Sequence, residues 1–376
     1  MPSISLTNPN NITSLSLNSV SSTKLGGVIN LSTYTNLEVL NAPNNDITSL
    51  GSLANNTSLE RLSVPDNLIT VLPSLTGNTD LLHVNCNRNN ISQAFPDLSS
   101  NTKLKQFYCF ANEFTGAVPD ISANTDMQHF GVGINKLTGS IPSLSSNTSL
   151  VGYNVQQQTP GLTGSIPSLS SNTNLKQFNA AANSLSGSIP SLSSNTNLVT
   201  FQVAANALTG NIPDLSNNTA LETFHCRDND LTGNIPDLSS NTNLTQFNAA
   251  GNSLSGSIPS LSSNTNLEIF QVGNNALTGN IPDLSNNTAL KAFHCRANDL
   301  TGIASGFSVS NTLVNFTAQY NSLTQAAVDG ILAAFNAAGA SNGSLTLGGT
   351  NASPTNGNSN SDKLALEART WTITVS

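Results

Sequence analysis

The chain has 376 residues, 12 Lys and Arg against 20 Asp and Glu, a net charge of −8, and only 9% charged residues. One globular core usually stops growing at about 250–300 residues, so the length implies either two domains or an elongated architecture. The scarcity of Lys and Arg argues against nucleic acid or an anionic membrane surface as a partner, and no run of about 18 apolar residues exists to insert into a bilayer.

The opening, MPSISLTNPNNITSL, has neither a basic segment nor an apolar one, so the sequence predicts no Sec leader. Ile12 opens an irregular first unit, and residues 1–36 are expected to form an N-terminal repeat or cap. Such a start covers the first core layer thinly and suits docking, including oligomer formation through the N-terminal end.

Beyond it, an apolar residue recurs after Asn-Thr or a variant of that pair. The positions are Leu37, Leu59, Leu81, Leu104, Met127, Leu150, Leu175, Leu198, Leu221, Leu244, Leu267, Leu290 and Leu313. Most steps are 23 residues, and the sequence QQQTPG at 156–161 stretches one of them. The count predicts about fourteen stacked units. In the unit from Leu221, Phe224 and Cys226 alternate with His225 and Arg227, the period of a strand. Stacking places such strands in parallel about 4.8 Å apart. Phe at 107, 130, 178, 201, 224, 247, 270, 293 and 316, with Tyr153 in register, is expected to form an aromatic spine. Asn at 89, 112, 135, 183, 206, 229, 252, 275, 298 and 321 is expected to form an inner ladder that satisfies backbone groups where the chain leaves the strand. Gly and Pro in Gly-Ser/Asn-Ile-Pro then make the return.

After Leu323 the pattern changes. Val328, Ile331, Leu332 and Phe335 fall at helical spacing, with Thr324 as N-cap and Gly339 beyond the C-terminus. SLTLGG reads as a strand, NGNSNS as a flexible loop, SDKLALEAR as a second helix and TWTITVS as a final strand. Residues 324–376 would thus form a small α/β cap over the last core layer.

The repeat LxxFxCxxNxLxGxIPxL resembles the leucine-rich repeat family, in the plant-type form LxxLxLxxNxLxGxIP, over residues 12 to 323. The resemblance implies a leucine-rich repeat solenoid across residues 37–323, one parallel strand per unit, curved as a right-handed superhelix. It also implies that ligands meet the strand face.

The chemistry-bearing residues fit that frame. Cys86, Cys109, Cys226 and Cys295 share one inward position with Val and Ala of other units, so buried, unreactive thiols are expected. Cys86 and Cys109 lie in adjacent units, but parallel inward stacking rarely gives disulfide geometry. His83 and His129 face outward in one column, His225 and His294 in another, with no two in adjacent units, so no zinc site is predicted. They are read as solvated or ligand-contacting. Asp97 with Asp120, and Asp214, Asp237 and Asp283, stack in columns that suit either calcium or turns after Pro, and turns are favoured. Motifs for a nucleophile elbow, a P-loop or HExxH are missing, so the sequence predicts no enzyme, no catalytic residue and no cofactor.

Two patches stand out on the strand face. One holds His83, Asn85, Arg88, Gln106, Tyr108, Phe110 and His129; the other holds Gln202, His225, Arg227, Gln271, His294 and Arg296. Exposed aromatics beside His and Arg are favoured anchors, and amide-rich faces with scattered rings suit sugar hydroxyls. A Ser-, Thr- and Asn-rich surface of low charge suggests an extracellular setting, and a virus made in the cytosol and released by lysis would reconcile that with the missing leader. The closing LEARTWTITVS is similar to C-terminal segments of phage structural proteins and bacterial surface repeat proteins. The sequence therefore points to a non-enzymatic recognition or structural protein on a virion surface, as fibre, appendage or capsid decoration, binding host-surface glycan or protein, or a neighbouring virion protein. Alternatives are a secreted bacterial adhesin, extracellular or at the cell surface, and an ice-binding protein using the Thr column at 173, 196, 219, 242, 265 and 288.

Overall fold

The computed structural model describes residues 11–17 and 24–375. Two compact units emerge, one ending at Ser186 and one beginning at Gly187. The expectation of a docking end at the N-terminus falls largely on residues outside those described.

Both units are built by the same rule. In the first, three-residue strands at Ser14–Ser16, Val39–Asn41, Arg61–Ser63, His83–Asn85, Gln106–Tyr108, His129–Gly131, Gly152–Asn154 and Gln177–Asn179 pair in parallel, each with the next. In the second, the ladder runs Thr200–Gln202, Thr223–His225, Gln246–Asn248, Ile269–Gln271, Ala292–His294 and Asn315–Thr317, and the cap strands Ser344–Thr346 and Thr372–Thr374 extend it. Register is unshifted along both ladders, because each unit must align its central apolar residue with its neighbour's to bury it.

That alignment stacks the rings. Phe107, Phe130, Tyr153 and Phe178 follow one another at 5.4 to 5.9 Å with planes 13 to 20° apart. Phe201 to Phe316 repeat the stack at 5.3 to 5.7 Å. All of these rings are buried.

The expected Asn ladder is present. Asn229 Nδ2 donates to the carbonyls of Val203 and Cys226, and its Oδ1 accepts from Leu208 N–H at 3.0 Å. In the lengthened unit Gln158 takes the same role with a longer side chain, donating to Val132 O and accepting from Leu137 N–H. A second ladder was not expected. The Asn of the Asn-Thr pairs from Asn56 to Asn287 is also buried, while Asn311 is exposed, and Asn218 Nδ2 donates to Leu192 O and Asn195 O. Its Oδ1, like those of its counterparts, is buried with no partner among the described residues.

Two further expectations are corrected, and the return segments carry structure that was not anticipated. Cys86 and Cys109 form a disulfide, because unshifted pairing brings their Cα atoms to 4.9 Å; Cys226 and Cys295 remain buried free thiols, whose pKa burial pushes up. The return segments are not plain turns, since several carry short parallel strands such as Thr115–Ala117 with Lys136–Thr138. The loop NGNSNS folds into a short 3-10 turn, Gly357–Ser359, and ends on Asn360, whose side chain caps the next helix.

The cap follows its sequence signals. Helix α1, Gln325–Ala338, starts at Thr324, whose side chain accepts from Ala327 N–H, and stops at Gly339 in the left-handed conformation. Its Phe335 meets Phe316 edge-on at 5.3 Å, and Trp371 meets Phe335 at 5.4 Å. The last ring of the spine is covered in this way. Helix α2, Ser361–Glu367, packs beside α1.

Candidate ligand-binding face

In the first unit the strand face is set by register. His83, Gln106, His129 and Gly152 occupy the first position of successive strands, and Asn85, Tyr108, Gly131 and Asn154 the third. Phe110 lies two residues beyond Tyr108, its N–H donating to Asn87 Oδ1 at 2.7 Å. The residues of the first predicted patch are therefore brought together. The rings of His83 and Tyr108 are 6.0 Å apart, and those of Tyr108 and His129 are 6.3 Å apart. Arg88 sits at the margin, exposed and 3.5 Å from Asp66.

His83 is not the solvated residue the sequence suggested, for it is only 9% exposed. Its Nδ1 lies 2.8 Å from Gln106 Oε1. An amide oxygen only accepts, so Nδ1 carries the hydrogen, and Nε2 is left as a buried acceptor with no partner among the described residues. Burial lowers the His83 pKa, against the hydrogen bond to Gln106 and with the help of Arg61. Burial also lowers His129 and raises Tyr108.

Sequence reasoning missed the glycines of this face. A Cβ on Gly131 would stand 3.1 Å from Tyr108 Cδ1, and one on Gly133 would stand 3.1 Å from Phe110 Cδ2. A Cβ on Gly152 would meet His129 Nδ1 at 2.8 Å. The rings therefore lean across the neighbouring strand into space that only glycine leaves open. Three glycines on the neighbouring strands, one coil beyond the aromatic residues, were the available signal. Beside them Ile134 has φ 53°, as the equivalent residue has in coil after coil (Arg88, Ala111, Gln157, Ala182), so this left-handed turn belongs to the repeat and not to the site.

In the second unit, Gln202, His225, Asn248, Gln271 and His294 form one row at the third position. Asn248, not anticipated, closes it: its Nδ2 donates to Gln271 Oε1 at 2.6 Å, and Gln271 Nε2 lies 3.2 Å from His294 Nδ1. His225 and His294 are half-buried, and burial lowers both pKa values. Arg227 and Arg296 are exposed, and Arg227 pairs with Asp228 at 3.5 Å.

The Asp columns serve their own turns. Asp97, Asp214 and Asp237 each accept from the N–H and Oγ of the Ser two residues on, and those bonds, backbone first, lower their pKa values. Among the described residues no three His, Cys, Asp or Glu gather where a metal could bind. The Thr side chains at 173, 196, 219, 242, 265 and 288 are exposed.

Solved structures of known proteins share this architecture. The plant peptide hormone receptor RGFR1 in complex with RGF2 superposes with a TM-score of 0.75 and 23% identity, over 92% of this chain and 63% of the receptor chain. The Arabidopsis receptor kinase HAESA, in complex with the peptide hormone IDA and the co-receptor SERK1, gives 0.73 and 24% over 83% of this chain and 54% of its own. The functional domain of InlJ from Listeria monocytogenes, which includes a cysteine ladder, gives 0.58 and 23% over 84% and 74%. No protein-family model matches the sequence, and no curated protein does. The chain spans less than two thirds of the two receptor chains. The class that the fold defines is the leucine-rich repeat solenoid, with parallel strands about 23 residues apart and a small C-terminal helical cap.

Proposed function

We propose that the chain is a non-enzymatic recognition protein that engages a partner macromolecule through the strand face of its first unit. The observation that carries this reading is the cluster of Tyr108, Phe110 and His129 leaning over Gly131, Gly133 and Gly152. Half-buried rings on a rigid sheet lose little entropy on binding, which favours them as anchors. The second row spends its amides on one another and offers less to a ligand. Receptors and an internalin domain of the same fold, two of them in complexes with peptide hormones, support recognition over catalysis.

Display outside the producing cell suits the low-charge Ser-, Thr- and Asn-rich surface and the disulfide. The virion setting, with host-surface glycan or a neighbouring virion protein as partner, rests on the sequence of the closing segment alone; a bacterial cell surface is the other setting. Replacing Tyr108 and Phe110 by Ala is expected to weaken attachment of the labelled chain to target-cell envelopes, and unchanged attachment would remove this face from the proposal. Proteomics of purified particles against envelope and medium fractions separates the settings. Fixed stoichiometry in particles supports the virion, and presence only in envelopes or medium contradicts it.

A further inference from the structure

We propose that the shelf formed by Tyr108 and Phe110 binds the sugar rings of a neutral glycan, an inference that rests on the strand-face reading above and names its ligand class. Three observations converge. The first is shape. Each ring is propped against the neighbouring strand by a glycine and remains partly exposed. The face of an aromatic ring is electron-rich, so it attracts the C–H groups on the flat side of a pyranose.

The second is hydrogen-bond polarity. Asn85 Oδ1 already accepts from Asn87 N–H, Asn154 Oδ1 from Gln156 N–H, and Gln106 Oε1 pairs with His83. The Nδ2 groups of Asn85 and Asn154 and the Nε2 of Gln106 have no acceptor among the described residues. These amides therefore offer N–H donors around the rings, which suits a ligand dense in uncharged oxygen. His83 Nε2, in a side chain more than nine-tenths buried, is an unpartnered acceptor beside Tyr108. Nε2 is itself covered, and His294 Nε2 in the second row is in the same state, so the amide donors around the rings carry this observation.

The third is charge. No carboxylate, lysine or arginine occupies the first, third or fifth position of the strands that begin at His83, Gln106, His129 and Gly152. The nearby Arg88 is engaged by Asp66, and Arg61, beside His83 in register, lies one strand outside the shelf. Burial lowers the pKa of His83 and of His129, which works against a positive charge on either. No cation at these strand positions compensates the charge of a uronic or sialic acid, and the net charge of −8 disfavours it.

The test titrates the full chain with cello-, laminari-, manno- and maltohexaose and with hexagalacturonate, by calorimetry and saturation-transfer NMR. At least one neutral hexasaccharide is expected to bind and hexagalacturonate to bind far more weakly. The double variant Tyr108→Ala, Phe110→Ala should lose about tenfold or more in affinity, with Tyr108→Phe retaining it and Gln271→Ala in the second unit unchanged. Unaltered thermal unfolding of the variants excludes misfolding as the cause. Three results would overturn the proposal: no neutral saccharide bound, the acidic one bound equally well, or affinity kept in the double variant. Panning a peptide library on the same protein distinguishes the levels. Peptides that depend on Tyr108 and Phe110, with no saccharide bound, overturn the glycan and leave strand-face recognition standing. If neither sugar nor peptide depends on those rings, both fall.

Discussion

At the scale of single residues, the repeat uses buried Asn side chains to satisfy backbone groups, and its exceptions are informative. Asn229 satisfies four backbone groups at once. Asn229→Ala would strand them in the interior and should destabilise its unit by about 3 kcal/mol, read as a shift in the denaturant midpoint. Tyr153 is the converse case. It stands in the Phe spine with its hydroxyl buried and unpartnered, and burial raises its pKa. Tyr153→Phe should therefore stabilise the chain by about 1 kcal/mol, and a lowered Tm would contradict this. The four histidines share one sign. Burial holds each below its ordinary pKa of about 6.5, so protonation favours the unfolded chain. Their contribution is fully present above about pH 6.5 and is lost as pH falls through the lowered folded values. Tm measured from neutral to mildly acidic pH should decline, and His83→Gln should flatten part of that decline; a level profile would refute the assignment.

At the scale of strands and turns, legibility followed repetition. The Phe spine and the first Asn ladder could be read because one residue type recurs at one position with a period of two inside a period of 23. The cap helix was readable from Thr324, Gly339 and helical spacing. Features that depend on what lies across the sheet were not readable. The Cys86–Cys109 bond needed the unshifted register of its two strands, and sequence spacing alone placed the thiols side by side without settling their approach. The second Asn ladder was hidden because the Asn-Thr pair served as a marker of the turn, and Asn in a turn is common without being buried. Both patches were proposed from the sequence, but their surroundings were not legible there. Burial of His83 and the glycine gaps under Tyr108 and Phe110 arise from neighbours one coil away. The disulfide lies directly behind that shelf, with Cys109 between its two aromatic residues, and closes a span of 23 residues. Chain-entropy arguments give it about 3 kcal/mol. The double variant Cys86→Val, Cys109→Ala, using residues found at this position elsewhere, should lower stability by about that amount, and equal stability with and without reductant would contradict the bond.

At the scale of the whole molecule, each coil is stable only by covering its neighbour, so the ends matter more than any single coil. Phe335 and Trp371 close the last layer. Phe335→Ala should destabilise the second unit by about 3–5 kcal/mol and expose Phe316, seen as increased dye binding and aggregation. Between the ends, the core columns hardly vary while the strand face does, and that contrast supports recognition as the function. The most direct measurement is carbene footprinting of the full chain, read by mass spectrometry, with and without target-cell envelope polysaccharide. The account predicts protection at His83–Asn85, Gln106–Phe110 and His129–Gly133, with the row from Gln202 to His294 unchanged. Protection confined to that second row or to the return turns, with Tyr108 and Phe110 labelled as in the free chain, would contradict it.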